Sequence, residues 1–359
     1  MFKKGLALLL SIMLVATLAV GCGTDTDNGG NTNDGDKTEN GGDATGNGEE
    51  KISVAMVTDI GGVNDQSFNQ SAWEGLQKAE KELGIKAGYQ ESQQETDYKS
   101  NLEQLLDANN DLIWGIGYKL APEMKKAALN NPDQDYAIID FSYGEETPEN
   151  VLGVVFKAEQ GSFLVGYIAG KMTETNKVGF VGGMKGEVID GFDYGFHAGV
   201  KYANPDAEVL RQYAESFGDA AKGKAIAKQM YTKGADIVFH AAGGTGNGVI
   251  EAAKEEGKWA IGVDRDQNYL APENVLTSAM KRVDVAIYAV TEDYQNNEFK
   301  GGETVVYGLA EDAVGIAPTS DEDVPQEILD EVEEVKQKII DGDIVVPYNE
   351  DTYKEFSAE

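Results

Sequence analysis

From residue 51 onward, short apolar runs alternate with segments of helical periodicity, and this alternation restricts the fold more than any other feature. The first apolar runs are 52–58, 87–90, 112–117, 136–141 and 151–156, and helical patterns at about 67–83, 98–109 and 121–130 separate the first four. Runs of this kind are typical of buried parallel strands, which are joined by helical crossovers. The sequence therefore predicts an α/β protein with parallel sheets flanked by helices.

A second alternation of the same kind begins at Lys177. Apolar runs at 178–181, 210–213, 237–240, 260–264 and 275–280 are joined by segments that include helical patterns at about 189–203 and 219–232. A helix at 283–297, a strand at 304–308, an acidic helix at 324–340 and a short strand at 344–347 are expected to follow. The 359 residues are enough for two domains of ordinary size.

We therefore expect two similar lobes. The N-terminal lobe is assigned to residues 51–157 and the C-terminal lobe to residues 158–281. Segments within 282–359 are expected to cross back between the lobes and complete both sheets.

The amino terminus has the pattern of a secretory signal peptide. Lys3 and Lys4 precede an apolar run over residues 5–20, which is short for a spanning helix. Cys22 is the only cysteine, so it has no partner for an intramolecular disulfide. A lone cysteine after small residues at this place resembles a lipobox. We expect residues 1–21 to be removed and Cys22 to be lipidated.

Residues 23–50 contain only Gly, Thr, Asp, Asn, Glu, Lys and Ala, without one large apolar side chain. Such a segment cannot bury enough surface to offset its ordering entropy. With Cys22 it is expected to form a disordered, acidic tether over residues 22–50.

The formal net charge of −33 limits the partners of the chain. A surface this acidic repels the phosphates of nucleic acids and the headgroups of anionic lipids. Nucleic acid is therefore not an expected partner, and a transcriptional regulator is disfavoured because no helix-turn-helix precedes the first strand.

Polar side chains follow the first strand, where the chain turns into a helix. Asp59 closes the strand, and Phe68 and Asn69 begin the helix. In open α/β sheets, ligands bind at the carboxyl ends of strands, so acceptors and one aromatic ring are expected together there. The alternative is purely structural, with Asp65 or Ser67 as a helix cap and Phe68 packed on the core.

A glycine-rich loop over residues 241–248 joins another predicted strand to a helix. It includes Gly243 and exposes backbone N–H groups at the start of that helix. Its spacing is not that of a dinucleotide-binding loop, and no Gly-Lys-Ser/Thr follows it. Neither a nicotinamide cofactor nor a nucleoside triphosphate is therefore predicted.

The segment Asp59-Ile-Gly-Gly-Val-Asn-Asp-Gln-Ser-Phe-Asn-Gln resembles the N-terminal signature of the basic membrane protein family of lipoproteins. The best-known members of that family are purine nucleoside receptors of ABC importers. The resemblance implies a two-lobed periplasmic-binding-protein-like fold of type I, in which each lobe is a parallel sheet flanked by helices. It places the ligand in the interlobe cleft.

The same resemblance implies roles for further residues. Phe192, in the segment Gly191-Phe-Asp-Tyr-Gly-Phe-His-Ala-Gly199, matches an aromatic that faces the cleft, where it could sandwich a flat ligand with Phe68. Asp264 and Lys281 match positions that reach the ligand, and a carboxylate can accept from two ribose hydroxyls at once. Asp140 is also assigned to the ligand. Core packing for Phe192 and a water-facing loop position for Asp140 remain alternatives.

Catalytic motifs are scarce. The two histidines lie on separate predicted elements, and the H-E-x-x-H and G-x-S-x-G strings are missing. We therefore expect neither an enzyme, such as a nucleoside hydrolase, nor a metal or other cofactor. The resemblance to the basic membrane protein family implies a lipid-anchored solute-binding protein on the extracytoplasmic face of the membrane. It would deliver a purine nucleoside to an ABC permease. The alternative is a receptor or sensor of the same fold for another small solute.

Replacing Cys22 by serine is expected to release the protein from membranes without unfolding it, because acyl chains on that thiol would supply the anchoring. Fractionation into membrane and soluble pools, with circular dichroism of the released protein, measures both effects. A serine variant that stays with the membrane after signal cleavage would refute the lipid anchor.

Overall fold

The computed structural model describes residues 51–356. The predicted signal peptide, Cys22 and the tether to residue 50 lie outside the described residues. The strands are β1 Ser53–Val57, β2 Lys86–Gln90, β3 Leu112–Ile116, β4 Asp135–Ile139, β5 Val151–Phe156, β6 Lys177–Gly182, β7 Glu208–Tyr213, β8 Ile237–Ala241, β9 Trp259–Asp264, β10 Val275–Lys281, β11 Thr304–Tyr307 and β12 Val314–Ile316.

Helices connect and flank these strands. They are α1 Phe68–Leu83, α2 Asp97–Asp107, α3 Ala121–Asn130, α4 Ala158–Met172, α5 Glu187–Ala203, α6 Ala220–Thr232, α7 Gly244–Glu256, α8 Val283–Gln295, α9 Ser320–Asp323, α10 Gln326–Ile340 and α11 Glu350–Glu355.

The strands form two six-stranded sheets with matching order. The first sheet has the order β11-β5-β4-β3-β1-β2, and the second has the order β12-β10-β9-β8-β6-β7. Every pairing is parallel except that of β12, which runs antiparallel to β10. The predicted α/β class and the two-lobed arrangement of parallel sheets are confirmed.

The chain passes between the two sheets three times. It leaves the first sheet after β5, returns from β10 to α8 and β11, and then goes back to β12. Helix α8 packs on α1 beside the first sheet, whereas α4 packs on α5 and α10 beside the second. We use "first lobe" and "second lobe" for each sheet with its packed helices.

Two elements near the end of the chain differ from the predictions. The prediction of a strand at 344–347 is wrong, because this segment forms no β-ladder with another part of the described chain. Ile344 and Val346 are buried while Val345 is 79% exposed, so the alternation that resembles a strand comes from packing on the second-lobe core. The short strand β12 was not predicted, since three residues carry too little periodicity.

Close packing of α4 against α5 depends on glycine. A Cβ atom at Gly199 of α5 would lie 2.0 Å from the carbonyl oxygen of Phe163 in α4. A Cβ atom at Gly166 of α4 would lie 2.4 Å from the carbonyl oxygen of Phe196 in α5. Backbone oxygens cannot move aside as flexible side chains do, so the two helices approach only because these side chains are absent.

Gly199→Ala is expected to destabilise the protein by about 1–3 kcal/mol, because the methyl group forces α4 and α5 apart. Gly191→Ala in the same helix is the matched control, since its nearest neighbour would be the Glu159 Oε2 atom at 3.9 Å. The control should be neutral or stabilised by up to about 1 kcal/mol. Urea unfolding compares the two, and equal stabilities would show that the helix contact is not close.

Candidate functional site

The carboxyl ends of strands from both sheets face one cavity of about 590 Å³, a volume that includes space open to solvent. The residues that line it are Asp59, Gly61, Asp65, Phe68, Asn69, Gly117, Tyr118, Lys119, Asp140, Val188, Ile189, Phe192, Phe217, Ala241, Ala242, Gly243, Val263, Asp264 and Lys281. Apolar walls and a few convergent polar groups are the usual composition of such a site.

The start of α1 brings the first group of side chains into this cavity. The Asp65 carboxylate accepts hydrogen bonds from the backbone N–H groups of Ser67, Asn69 and Gln70 at 2.9, 2.9 and 3.1 Å. Asp65 therefore caps the helix, and Ser67, which occupies the N-cap position, makes no side-chain capping bond. The Ser67 hydroxyl instead donates to the Asp264 carboxylate of the second lobe.

Asp59 and Asn69 form a hydrogen-bonded pair in the first lobe. Asn69 Nδ2 donates to Asp59 Oδ1 at 2.7 Å and to Asp65 Oδ2 at 3.0 Å, and the Gly61 N–H donates to Asp59 Oδ1 at 2.8 Å. Burial raises the pKa of Asp59 to about 6, against the lowering effect of the Gly61 N–H and the Asn69 amide. Within the described residues, the buried Asn69 Oδ1 accepts no hydrogen bond.

Lys281 joins the two lobes at the centre of the cavity. Its side chain is 2% exposed, and Nζ donates to Asp140 Oδ2 at 2.5 Å. The same ammonium lies 4.6 Å from the centre of the Phe68 ring and 5.2 Å from that of Phe156. Cation–π contact and the ion pair together compensate its loss of water.

Asp140 and Asp264 occupy equivalent positions in the two sheets. Asp140 follows β4 and Asp264 ends β9, and each strand is third from the same edge of its sheet. Both have φ of 66°, in the left-handed region that residues with a Cβ atom rarely adopt. Such strain is common at ligand sites, where it directs a side chain into the cleft.

Asp264 is 6% exposed, and burial raises its pKa to about 6, although the nearby Lys281 ammonium and the Ser67 hydroxyl lower it. Burial also raises the pKa of Asp65. The carboxylates in the cavity are therefore poorly hydrated, and a ligand that donates hydrogen bonds would stabilise them.

Phe68 and Phe192 both line the cavity, from opposite lobes. Phe192 is only 3% exposed and also belongs to the second-lobe core, where its ring centroid lies 6.4 Å from that of Phe239. The ring is therefore held by the core while it faces the cavity. Phe217, in the loop after β7, adds a third ring.

Gly243 precedes α7 with φ of 53° and lines the cavity. The prediction that backbone N–H groups are free at the start of α7 is partly wrong, because the Thr245 N–H donates to the Phe217 carbonyl oxygen at 3.1 Å. Asn247 instead points across the cleft and donates from Nδ2 to the Asp65 carbonyl oxygen at 3.1 Å.

Other hydrogen bonds also connect the lobes beside the cavity. Gln267 Nε2 donates to the Gln66 carbonyl oxygen at 2.9 Å, and the Tyr269 hydroxyl donates to Gln66 Oε1 at 2.6 Å. Arg265 pairs with Glu74 at 2.9 Å. The lobes are thus held together on the α1 side of the cleft.

The cavity contains all eight residues assigned to the ligand from sequence: Asp59, Phe68, Asn69, Asp140, Phe192, Gly243, Asp264 and Lys281. Their contacts with a ligand remain predictions. Lys119 and Phe217 were not predicted, although both follow predicted strands and strand-end position could have identified them. Neither His197 nor His240 lines the cavity, and residues 51–356 contain no cluster of metal-ligating side chains.

The sequence model of the Bmp family, described as ABC transporter substrate-binding protein PnrA-like, matches residues 52–350. The chain belongs to the Bmp family. Basic membrane protein A of Borreliella burgdorferi is 44% identical over 87% of this chain and 92% of its own. The CD4+ T-cell-stimulating antigen of Listeria monocytogenes is 45% identical over 97% of this chain and 99% of its own.

Two solved structures are similar to this Bmp family member over most of its length. An ABC transporter solute-binding protein from Aeropyrum pernix has a TM-score of 0.77 and 30% identity over 85% of this chain and 96% of that one. A transcriptional activator of the comK gene from Bacillus halodurans has a TM-score of 0.69 and 25% identity over 80% of this chain and 97% of that one.

These comparisons confirm the family resemblance and a solute-binding role. The Bmp family is one of substrate-binding proteins rather than of enzymes, and membership implies a solute ligand and a membrane permease as partner. Among residues 51–356, no helix combines the length and the apolar character needed to cross a membrane.

Raising the pH from about 4 to about 6 is expected to lower the free energy of unfolding through Asp59 and Asp264. Burial raises each pKa from 3.8 to about 6, so the unfolded carboxyl groups ionise at lower pH than the folded ones. In this window each acid can change the free energy of unfolding by at most about 1.4 kcal/mol per pH unit. Well below or above the window it contributes no pH dependence.

Urea unfolding of wild type, Asp59→Asn and Asp264→Asn across this pH window measures the effect. The difference between each variant and wild type isolates one acid from the other titrating groups. If the free energy of unfolding of a variant changed with pH in the same way as that of wild type, the raised pKa of the replaced acid would be contradicted.

Proposed function

We propose that this protein is the lipid-anchored receptor of an ABC importer and binds a purine nucleoside between its lobes. The supporting observation is a set of buried acceptors beside aromatic rings. Within the described residues, hydrogen bonds reach only one side-chain oxygen of Asp59 and one of Asp264, and none reaches Asn69 Oδ1. A ligand that donates several hydrogen bonds would satisfy these acceptors.

The charges of the cavity disfavour an anionic ligand. Four carboxylates line it, from Asp59, Asp65, Asp140 and Asp264, and both lysines that line it are already paired. Lys281 pairs with Asp140 at 2.5 Å, and Lys119 pairs with Glu95 at 2.7 Å. A nucleotide phosphate would meet carboxylates without an unpaired cation, so a nucleoside is favoured over a nucleotide.

The aromatic rings supply the apolar half of the proposed site. Phe68 and Phe192 approach from opposite lobes, so a flat base between them would contact both and stabilise the closed arrangement. Ribose hydroxyls are assigned to Asp264 and Lys281, whereas Asp140 is assigned to the base.

Lipidation at Cys22 would hold the receptor at the extracytoplasmic face of the cell membrane, beside its permease. One acyl chain anchors only weakly, whereas two or more give stable attachment. The acidic tether would then allow the folded lobes to reach the permease.

The test is calorimetry of inosine against Asp264→Asn and against inosine 5′-monophosphate. Asparagine tolerates the left-handed φ of this position, which alanine does not, so the backbone should be preserved. Loss of a charged acceptor should weaken inosine binding by about tenfold or more. The monophosphate should bind wild type far more weakly than inosine does.

A 2′,3′-dideoxyinosine control separates sugar recognition from folding. This analogue lacks the hydroxyls that Asp264 would accept from, so Asp264→Asn should hardly change its affinity. Equal losses for inosine and the dideoxy analogue would remove the sugar-binding role. Failure of every purine nucleoside to bind wild type would favour a receptor for another solute.

A further inference from the structure

A second cavity, of about 1,040 Å³ including space open to solvent, lies next to the first. Tyr118, Asp140 and Val188 line both cavities, so the two cavities share a wall at these side chains. A plain nucleoside bound in the first cavity would not occupy the second one.

Asp140 stands between the two cavities. Its carboxylate pairs with Lys281, which lines only the first cavity. Under the proposed function Asp140 lies at the base end of the nucleoside and Asp264 at the sugar end, and the Lys281 ammonium, which pairs with Asp140 and lowers the pKa of Asp264, lies between them. The second cavity is therefore next to the edge of the base.

The walls of the second cavity contain both aromatic and acidic residues. Phe141, Phe156 and Tyr348 supply rings beside the shared Tyr118. An apolar chain would pack on these rings, and a cation at its end would be attracted to their faces.

Glu159 and Glu187 supply negative charge at the side of the cavity formed by α4 and α5. Glu159 belongs to none of the ion pairs among the described residues, and burial raises its pKa to about 7. Lys157 also lines the cavity, but it is exposed, and its stem packs beside Gly308. The Lys157 ammonium lowers the pKa of Glu159 less than burial raises it, so an incoming ammonium would find a half-buried acid that forms no ion pair among the described residues.

We propose that the second cavity receives a cationic substituent carried on the base of the bound nucleoside, so that the protein takes base-modified purine nucleosides as well as plain ones. This inference rests on the proposed function. Apolar atoms of the substituent would lie on the rings beside Asp140, and its ammonium would lie at Glu159.

The test is calorimetry of wild-type protein with adenosine, N6-hexyladenosine and N6-(6-aminohexyl)adenosine near neutral pH. We expect the aminohexyl compound to bind at least as tightly as adenosine and about fivefold more tightly than the uncharged hexyl compound. Glu159→Gln should remove that preference for the amine and leave adenosine binding unchanged.

Gly191→Leu provides a steric test at a residue that does not line the first cavity. Gly191 lines only the second cavity, and a Cβ atom there has room, with Glu159 Oε2 nearest at 3.9 Å. The leucine should weaken binding of the aminohexyl compound by about tenfold and change adenosine affinity by less than about twofold. Gly191→Ala is the control for the helix itself.

Adenosine binding by wild type tests the proposed function, and the substituted compounds test this inference. If adenosine binds but both N6 substituents abolish binding, the second cavity does not receive the base edge. Equal affinity of the hexyl and aminohexyl compounds would overturn the cationic preference. If an aminohexyl group increased the affinity when attached to the 5′ carbon and not when attached to N6, the placement of the second cavity beside the base would be overturned.

Discussion

The buried ammonium of Lys281 is the interaction on which the candidate site depends. It comes from the end of β10 in the second lobe and pairs with Asp140 at the end of β4 in the first. The Phe68 ring lies against the same ammonium, so one charge connects a carboxylate, an aromatic ring and both sheets. A buried cation without these partners would be strongly destabilising, and the closed arrangement of the lobes therefore requires them.

The matching strand order of the two sheets explains why acidic side chains converge. Equivalent third strands end in Asp140 and Asp264, and both residues adopt a left-handed backbone that turns their carboxylates into the cleft. Burial shields these groups from most of the solvent, and one oxygen of each accepts no hydrogen bond from the described residues. These acceptors make the cavity suited to bind a ligand that donates hydrogen bonds rather than to catalyse a reaction.

Rigid packing behind the cavity holds these groups in place. Helix α5 carries Phe192 and contacts α4 at glycines, where backbone approaches backbone. Phe192 is both a core residue and a cavity residue, so the two interpretations of its position in the sequence were never exclusive. A ring fixed by the core loses little entropy when a ligand packs on it.

Periodicity and strand-end position in the sequence determined the α/β class, most element boundaries and, with the family resemblance, a set of eight residues that meet in one cavity. These features are local, since burial and backbone preference repeat within a few residues. Only the tertiary structure decided which groups pair. Ser67 occupies a cap position but donates to Asp264, 197 residues away, and Lys281 pairs with Asp140, 141 residues away. The alternation at 344–347 predicts a strand, yet whether such a segment finds a ladder partner depends on neighbours that are distant in sequence.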